Sequence, residues 1–208
     1  MPTTPVLALP YPVFSSTDQI PADIQALAER MDLLFGFTKL AEAVLGSDQA
    51  SPWNAFSSIP QTHTHLLIVA RMRSSAAVAN SPQLLRYNGN TGTPYDDEYV
   101  RAAGASNSSV EAIARSLGAR VFSMPGNSAP ANHFGAAMAW IADYRDATKQ
   151  KIAAEAGGSP TGTATGTAIV DVNASNYRNL EAITSLSFVE GNSGSYKAGS
   201  KVSLYGFL

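Results

Sequence analysis

Short runs of alternating or β-branched residues, closed by Asn, Gly or Ser, recur through the chain, and this punctuation constrains the fold more than any other feature. Residues 167–172, 183–189 and 201–205 are such runs, and side chains branched at Cβ suit a pleated surface bounded by turns. Residues 65–73 (HLLIVARMR) put Leu66, Ile68, Ala70 and Met72 on one face and Leu67, Val69, Arg71 and Arg73 on the other, the pattern of a strand covered on one side. Residues 83–87 run into Asn88-Gly89-Asn90-Thr91-Gly92, where Asn and Gly supply the positive φ angles of tight turns, so a hairpin-type turn is expected.

The stretch 109–156 fits two periods. Residues 110–117, 134–142 and 148–156 carry helix-favouring Ala and Glu yet also alternate. Phe134, Ala136, Met138, Trp140 and Ala142 form one strand face, whereas Phe134, Met138, Ile141 and Ala142 form a helical stripe. Residues 157–168 (GGSPTGTATGTA) offer no side chain to anchor a core, which predicts a mobile loop.

The first half of the N-terminal region differs. Residues 1–19 contain Pro2, Pro5, Pro10 and Pro12 among Leu7, Leu9, Tyr11, Val13 and Phe14; proline denies helix and ladder hydrogen bonds, so this apolar arm needs a surface to lie on. It lacks the basic and apolar regions of a secretory signal. Residues 21–45 then read as a helix, with Asp18 near the cap, Pro21 in the first turn and Gly46 at the stop. Ile20, Ile24, Leu27, Met31 and Leu34 recur at spacings of four and three, the apolar seam on which identical helices pack, although packing within one chain gives the same stripe. The organisation expected is an extended arm (1–19), a helical segment whose seam suits self-association (20–50) and a β-sandwich domain (51–208).

Composition narrows the partners. Only 14% of the residues are charged and the net charge is -2, which removes the basic footprint needed to grip a phosphate backbone. No apolar run approaches the roughly 18 residues of a membrane span. With no cysteine, neither a disulfide framework nor a thiolate site is available.

Chemistry-bearing motifs are sparse. GxSxG, a phosphate-binding loop, GxGxxG after a strand and HExxH are all missing, and no cofactor is expected. His63 and His65 share a face of an extended strand and could offer two nitrogens to a metal, but nothing in the spacing requires His133, Asp96, Asp97 or Glu98 to complete the set. A polar strand end is the plainer reading, and no metal site is assigned. Asp96, Asp97, Glu98, Asp143, Asp146, Asp171 and Glu181 could supply the paired carboxylates of a glycosidase, yet acidic residues in turns are usually solvated, so no catalytic residue is assigned and the chain is read as not an enzyme. Trp53, Tyr87, Tyr95, Trp140 and Tyr144 could stack on a sugar, with core packing as the expected role of each.

The opening Leu9-Pro10-Tyr11-Pro12, Asp18 and the run Ile20-Pro21-Ala22-Asp23-Ile24-Gln25-Ala26-Leu27-Ala28-Glu29-Arg30-Met31-Asp32 resemble the start of tailed-bacteriophage minor tail and tail-fibre proteins. Phe56-Ser57-Ser58-Ile59-Pro60-Gln61-Thr62, Leu85-Arg86-Tyr87-Asn88-Gly89-Asn90-Thr91-Gly92, Ala182-Ile183-Thr184-Ser185 and Ala198-Gly199-Ser200-Lys201-Val202-Ser203-Leu204-Tyr205-Gly206 are similar to the sandwich domains that follow in such virion proteins. The resemblance implies a mainly β fold, a jelly-roll-like antiparallel β-sandwich preceded by an extended arm and one α-helix, and favours strands over 134–142 and 148–156. It implies a homotrimeric structural component of the virion, made in the host cytoplasm, joined to other virion proteins through residues 1–19 as an attachment arm, with 20–50 as a trimerisation segment, and able to touch a host-surface glycan. Nucleic acid and membrane insertion are not expected. A capsid decoration or head-fibre protein, and a small polysaccharide-degrading virion enzyme, are the alternatives.

Overall fold

A computed structural model describes residues 36–103, 106–115, 117–160, 162 and 168–208. Among them lie fourteen strands and no helix. The first seven are β1 (Thr38–Val44), β2 (Gln49–Ala50), β3 (Trp53–Phe56), β4 (His65–Met72), β5 (Asn80–Tyr87), β6 (Tyr95–Ala103) and β7 (Ser106–Arg115). They are followed by β8 (Ala119–Pro125), β9 (Gly135–Ile141), β10 (Lys151–Pro160), β11 (Ala168–Tyr177), β12 (Leu186–Glu190), β13 (Ser195–Tyr196) and β14 (Lys201–Phe207). An eight-stranded sheet runs β1-β14-β4-β9-β10-β11-β6-β7, a four-stranded sheet runs β3-β12-β5-β8, and β13 pairs with β2. All pairings are antiparallel. Strand β8 lies across β9, β10 and β11, so the smaller sheet forms a second layer over the larger one, and the mainly β expectation holds.

The apolar core follows from alternation. In β4, Leu66, Ile68, Ala70 and Met72 are buried while Val69 and Arg71 are exposed, as the sequence pattern predicts. They meet Ala139 and Ile141 of β9, Val202 and Leu204 of β14, and Trp53, Phe56, Leu85, Phe122, Leu186 and Phe188 of the smaller sheet. Tyr87, Tyr95 and Tyr177 close one end, with ring centroids 5.0 to 6.0 Å apart. Arg73, one residue past β4, is buried and donates to the carbonyls of Ala129, Pro130 and His133, tying the long β8–β9 connection to the sheet.

Three expectations are corrected. The helix expected over 21–45 gives way, over its described C-terminal part, to β1, whose Ala41 and Glu42 pair with Leu204 and Ser203 of β14. Leu40, Ala41, Ala43 and Leu45 pack against the core, so pairing to an otherwise open edge overrides the helix propensity of Ala, Leu and Glu. The remainder of that helix, including the seam Ile20, Ile24, Leu27, Met31 and Leu34, lies outside the described residues.

The loop expected from 157 is instead strand as far as Pro160: Gly157, Gly158, Ser159 and Pro160 pair with Asp171, Val170, Ile169 and Ala168. Glycine is required at 157, because a Cβ there would stand 2.5 Å from Phe122 Cβ and 3.0 Å from Ala137 Cβ. The turn at Asn88-Gly89 has the expected positive φ angles of 51° and 66°, but it joins β5 of one sheet to β6 of the other rather than closing a hairpin. Asn88 Oδ1 accepts hydrogen bonds from the amides of Thr184 and Ser185, which pins this crossing to the segment entering β12.

Candidate functional site

Strands β6, β10 and β11 invert the usual amphipathic rule. In β11, Asp171, Asn173, Ser175 and Tyr177 are buried beside Ile169, whereas Val170 and Val172 are 52% and 57% exposed. In β10, Lys151, Glu155 and Ser159 face inward with Ala153, while Ile152 faces solvent. In β6, Tyr95, Asp97 and Tyr99 are buried and Val100 is exposed. Polar side chains thus enter the interior, and apolar ones form the outer surface.

The inward groups make a connected cluster under β8. Register sets Asn173 between Glu155 and Tyr99, and Ser175 opposite Asp97. Ser175 Oγ donates to Glu155 Oε1 at 2.6 Å, and Asn173 Nδ2 donates to the carbonyls of Val121 and Arg120. Arg101 Nε donates to Asp171 at 2.8 Å, and Arg120 lies 4.0 Å from the same carboxylate. Both guanidiniums reach Ser123 Oγ, and that of Arg120 lies 4.2 Å over the Tyr99 ring. Asp97 Oδ1 is 2.7 Å from Arg115 Nε. Burial pushes the Asp97 carboxyl up to about 6 against the pull of Arg115, and pushes Glu155 up to about 8 with the Asp97 charge adding to the effect. Glu155 is therefore held neutral at pH 7 and can act as a donor, a state that desolvation favours over an unpaired buried charge.

The candidate residues fall apart spatially. His65 Nδ1 accepts the Asp143 amide at 3.1 Å, and its ring lies against Trp140 and Phe207. His63 Nδ1 bonds Thr62 Oγ1, and His133 lies on the β8–β9 connection. Among the described residues, no group of three or more His, Cys, Asp or Glu could hold a metal ion. Of the carboxylates, Asp96 pairs with Arg178 and Asp146 with Lys149; Asp143 lies 3.8 Å from Lys149, and Glu181 accepts the Tyr177 hydroxyl. Glu98 is exposed on the outer face. Asp97 and Asp171, expected as solvated turn residues, are instead 3% and 1% exposed, because each sits mid-strand on the inward parity. Glu155 escaped sequence reading, although its signal is the shared parity of Lys151, Glu155 and Ser159. Trp53, Tyr87, Tyr95 and Tyr144 are core residues as expected. Trp140 is not: it is 44% exposed, on the outward parity of β9.

The outer face of the same strands is a continuous apolar plane. Register aligns Val69, Met138, Ala156, Val172 and Val100 in one row across β4, β9, β10, β11 and β6. The adjacent rows are Leu67, Trp140, Ala154, Ala174 and Glu98 on one side and Arg71, Ala136, Gly158, Val170 and Ala102 on the other. The small residues of β9 and β10 leave an apolar hollow of about 450 Å³ bordered by Val69, Met138, Gly158 and Val170. Its chemistry is that of a contact surface: it carries Arg71 and Glu98 only at opposite rims, and it has no cluster of polar groups to orient a small molecule. Comparison with known proteins finds no matching family model, no matching curated protein and no matching solved structure.

Proposed function

We propose that this chain is a structural component of a tailed-bacteriophage virion, of the minor tail or tail-fibre type, and that it works by assembly rather than catalysis. The observation that carries the reading is the apolar outer plane of β4, β9, β10, β11 and β6, because contiguous apolar surface of this kind marks a site of association. The low charge content points the same way, and so do the terminal and turn segments that resemble virion proteins. On this reading the two layers are a jelly-roll-like sandwich, the N-terminal arm joins the chain to other virion proteins, and the seam at Ile20, Ile24, Leu27, Met31 and Leu34 gathers three copies. Weak contacts to a host glycan would then add through avidity. The carboxyls best placed for acid–base work, Asp97 and Glu155, are sealed from solvent, which favours assembly over polysaccharide cleavage.

The test is an antibody raised against the purified chain and applied to intact phage particles under the electron microscope. Label on the tail is expected. Label on the head would replace the tail role with capsid decoration, and particles without label would overturn the virion reading. Light scattering on the full chain should give a multiple of the 21.8 kDa chain mass; a monomer at every concentration would overturn self-association.

A further inference from the structure

We infer that the outer plane of the eight-stranded sheet packs face to face on the same plane of a second copy, about a two-fold axis running along β10. This rests on the self-association reading and deepens it by naming the surface and the partner.

The inference stands first on the distribution of side-chain size about β10. Within the three rows of the plane, that strand presents Ala154, Ala156 and Gly158 to the outside, with Ile152 one row beyond Ala154, and the bulky Met138 and Trp140 stand on β9, directly across from Ala156 and Ala154. On its other side β11 presents Val172 and Ala174 at the same levels. A two-fold along β10 reverses left and right while preserving position along the strands. It therefore places Trp140 of each copy over Ala174 of the other, large against small, and Met138 over Val172, apolar against apolar, while Ala154, Ala156 and Gly158 of the two β10 strands meet at the axis. Isologous interfaces demand this kind of self-complementarity, and the strands of the two sheets run aligned, as in stacked sheets.

Arg71 on β4 and Glu98 on β6 stand on the outermost strands of the plane and two rows apart, so the operation sets Arg71 over Ala102 and Glu98 over Leu67 at the edges of the contact, where a charge keeps its access to water. The area suffices. Five strands about 4.8 Å apart span about 24 Å, and seven residues along β10 span about 24 Å, so the two copies together cover roughly 1,150 Å² in projection. That exceeds the approximately 1,000 Å² expected of a specific interface.

The experiment compares the full-length wild type with Val172→Glu, Ala174→Trp, and the double variant Trp140→Ala with Ala174→Trp, by concentration-dependent light scattering with circular dichroism as the check on folding. All of these positions face outward. Val172→Glu buries a charge in the contact and should weaken association on the order of 100-fold, halving the assembled mass. Ala174→Trp should weaken it by collision with Trp140, and exchanging the two sizes in the double variant should restore it. Should Val172→Glu unfold the chain, the Ala174→Trp and exchange pair decides alone. An oligomer whose mass none of these variants changes would overturn the face-to-face contact while leaving self-association standing. A wild type that is monomeric throughout would overturn both. Monomeric chain that binds phosphatidylcholine vesicles through this plane, and loses binding in Val172→Glu, would assign the face to lipid and overturn the second copy as occupant.

Discussion

The half of the molecule built on β14, β4 and β9 and the half built on β10, β11 and β6 belong to one sheet but solve the burial problem in opposite ways. In the first, Leu66, Ile68, Ile141, Val202 and Leu204 turn inward and are no more than 2% exposed. In the second, Asp97, Glu155, Asp171, Asn173 and Ser175 turn inward, and Val100, Val170 and Val172 turn out. Buried polar groups add little net stability even when paired and cost heavily when one partner is removed. The first half therefore supplies the fold's driving force, while the second gives up interior apolar area and keeps its valines for an outside contact.

The largest effect should come from the conventional half. Leu66→Ala removes a fully buried side chain and should cost roughly 2–5 kcal/mol in denaturant unfolding. The cost should hold across the pH range, since nothing titratable is lost. A loss under about 1 kcal/mol would mean that this half is not the anchor and would level the contrast.

The inverted half should announce itself through pH. Both carboxyls are raised above their ordinary values, Asp97 from 3.8 to about 6 and Glu155 from 4.5 to about 8. The folded chain thus retains protons that the unfolded chain releases between about pH 4 and 8. The stability these groups provide is fully present below that window and is lost as pH rises through it, by up to about 1.4 kcal/mol per pH unit for each group. Glu155→Gln keeps the shape and removes one ionisation, so it should flatten the slope above pH 6. A profile that rises with pH over this window would show that the carboxyls are charged and paired in the fold. Smaller still is the effect of Gly157→Ala, whose added methyl presses on Phe122 and Ala137 and should cost about 1–3 kcal/mol by overpacking.

The contrast between the halves also explains what could be read from sequence. Alternating or β-branched runs located β4, β11, β12 and β14, because a period of two survives whichever face is buried, whereas residues 134–142 fit a helical stripe as well and only the resemblance favours a strand there. Such runs could not say which parity points inward. In β4 the apolar parity is the inner one and the reading of Leu66 to Met72 succeeded. In β9 the row of Met138 and Trp140 is also apolar, but the inner row is Ala137, Ala139 and Ile141, so Trp140 was assigned to the core and is on the surface. The acidic residues failed for the same reason: Asp97 and Asp171 have the composition of turns and the positions of strand interiors. β1 failed differently, since LAEAVL is a good helical segment until β14 offers it an edge. Gly157 reads as loop because sequence does not reveal that Phe122 from another layer needs the space a side chain there would take.

The smallest expected effect separates the halves most sharply. Val172→Thr preserves shape and replaces one methyl of an exposed, outward side chain by a hydroxyl. In the isolated chain, at concentrations too low for association, it should change unfolding stability by no more than about 0.5 kcal/mol, as exposed positions do. An equal substitution at buried Val202 places a hydroxyl in the core and should cost about 1–3 kcal/mol. Raising the concentration should then penalise Val172→Thr relative to wild type, because assembly stabilises the folded chain by mass action and the variant gains less from it. If Val172→Thr were as damaging as Val202→Thr even in dilute solution, the outer plane would be covered within a single chain, and β11 would have to be counted as a strand buried on both faces.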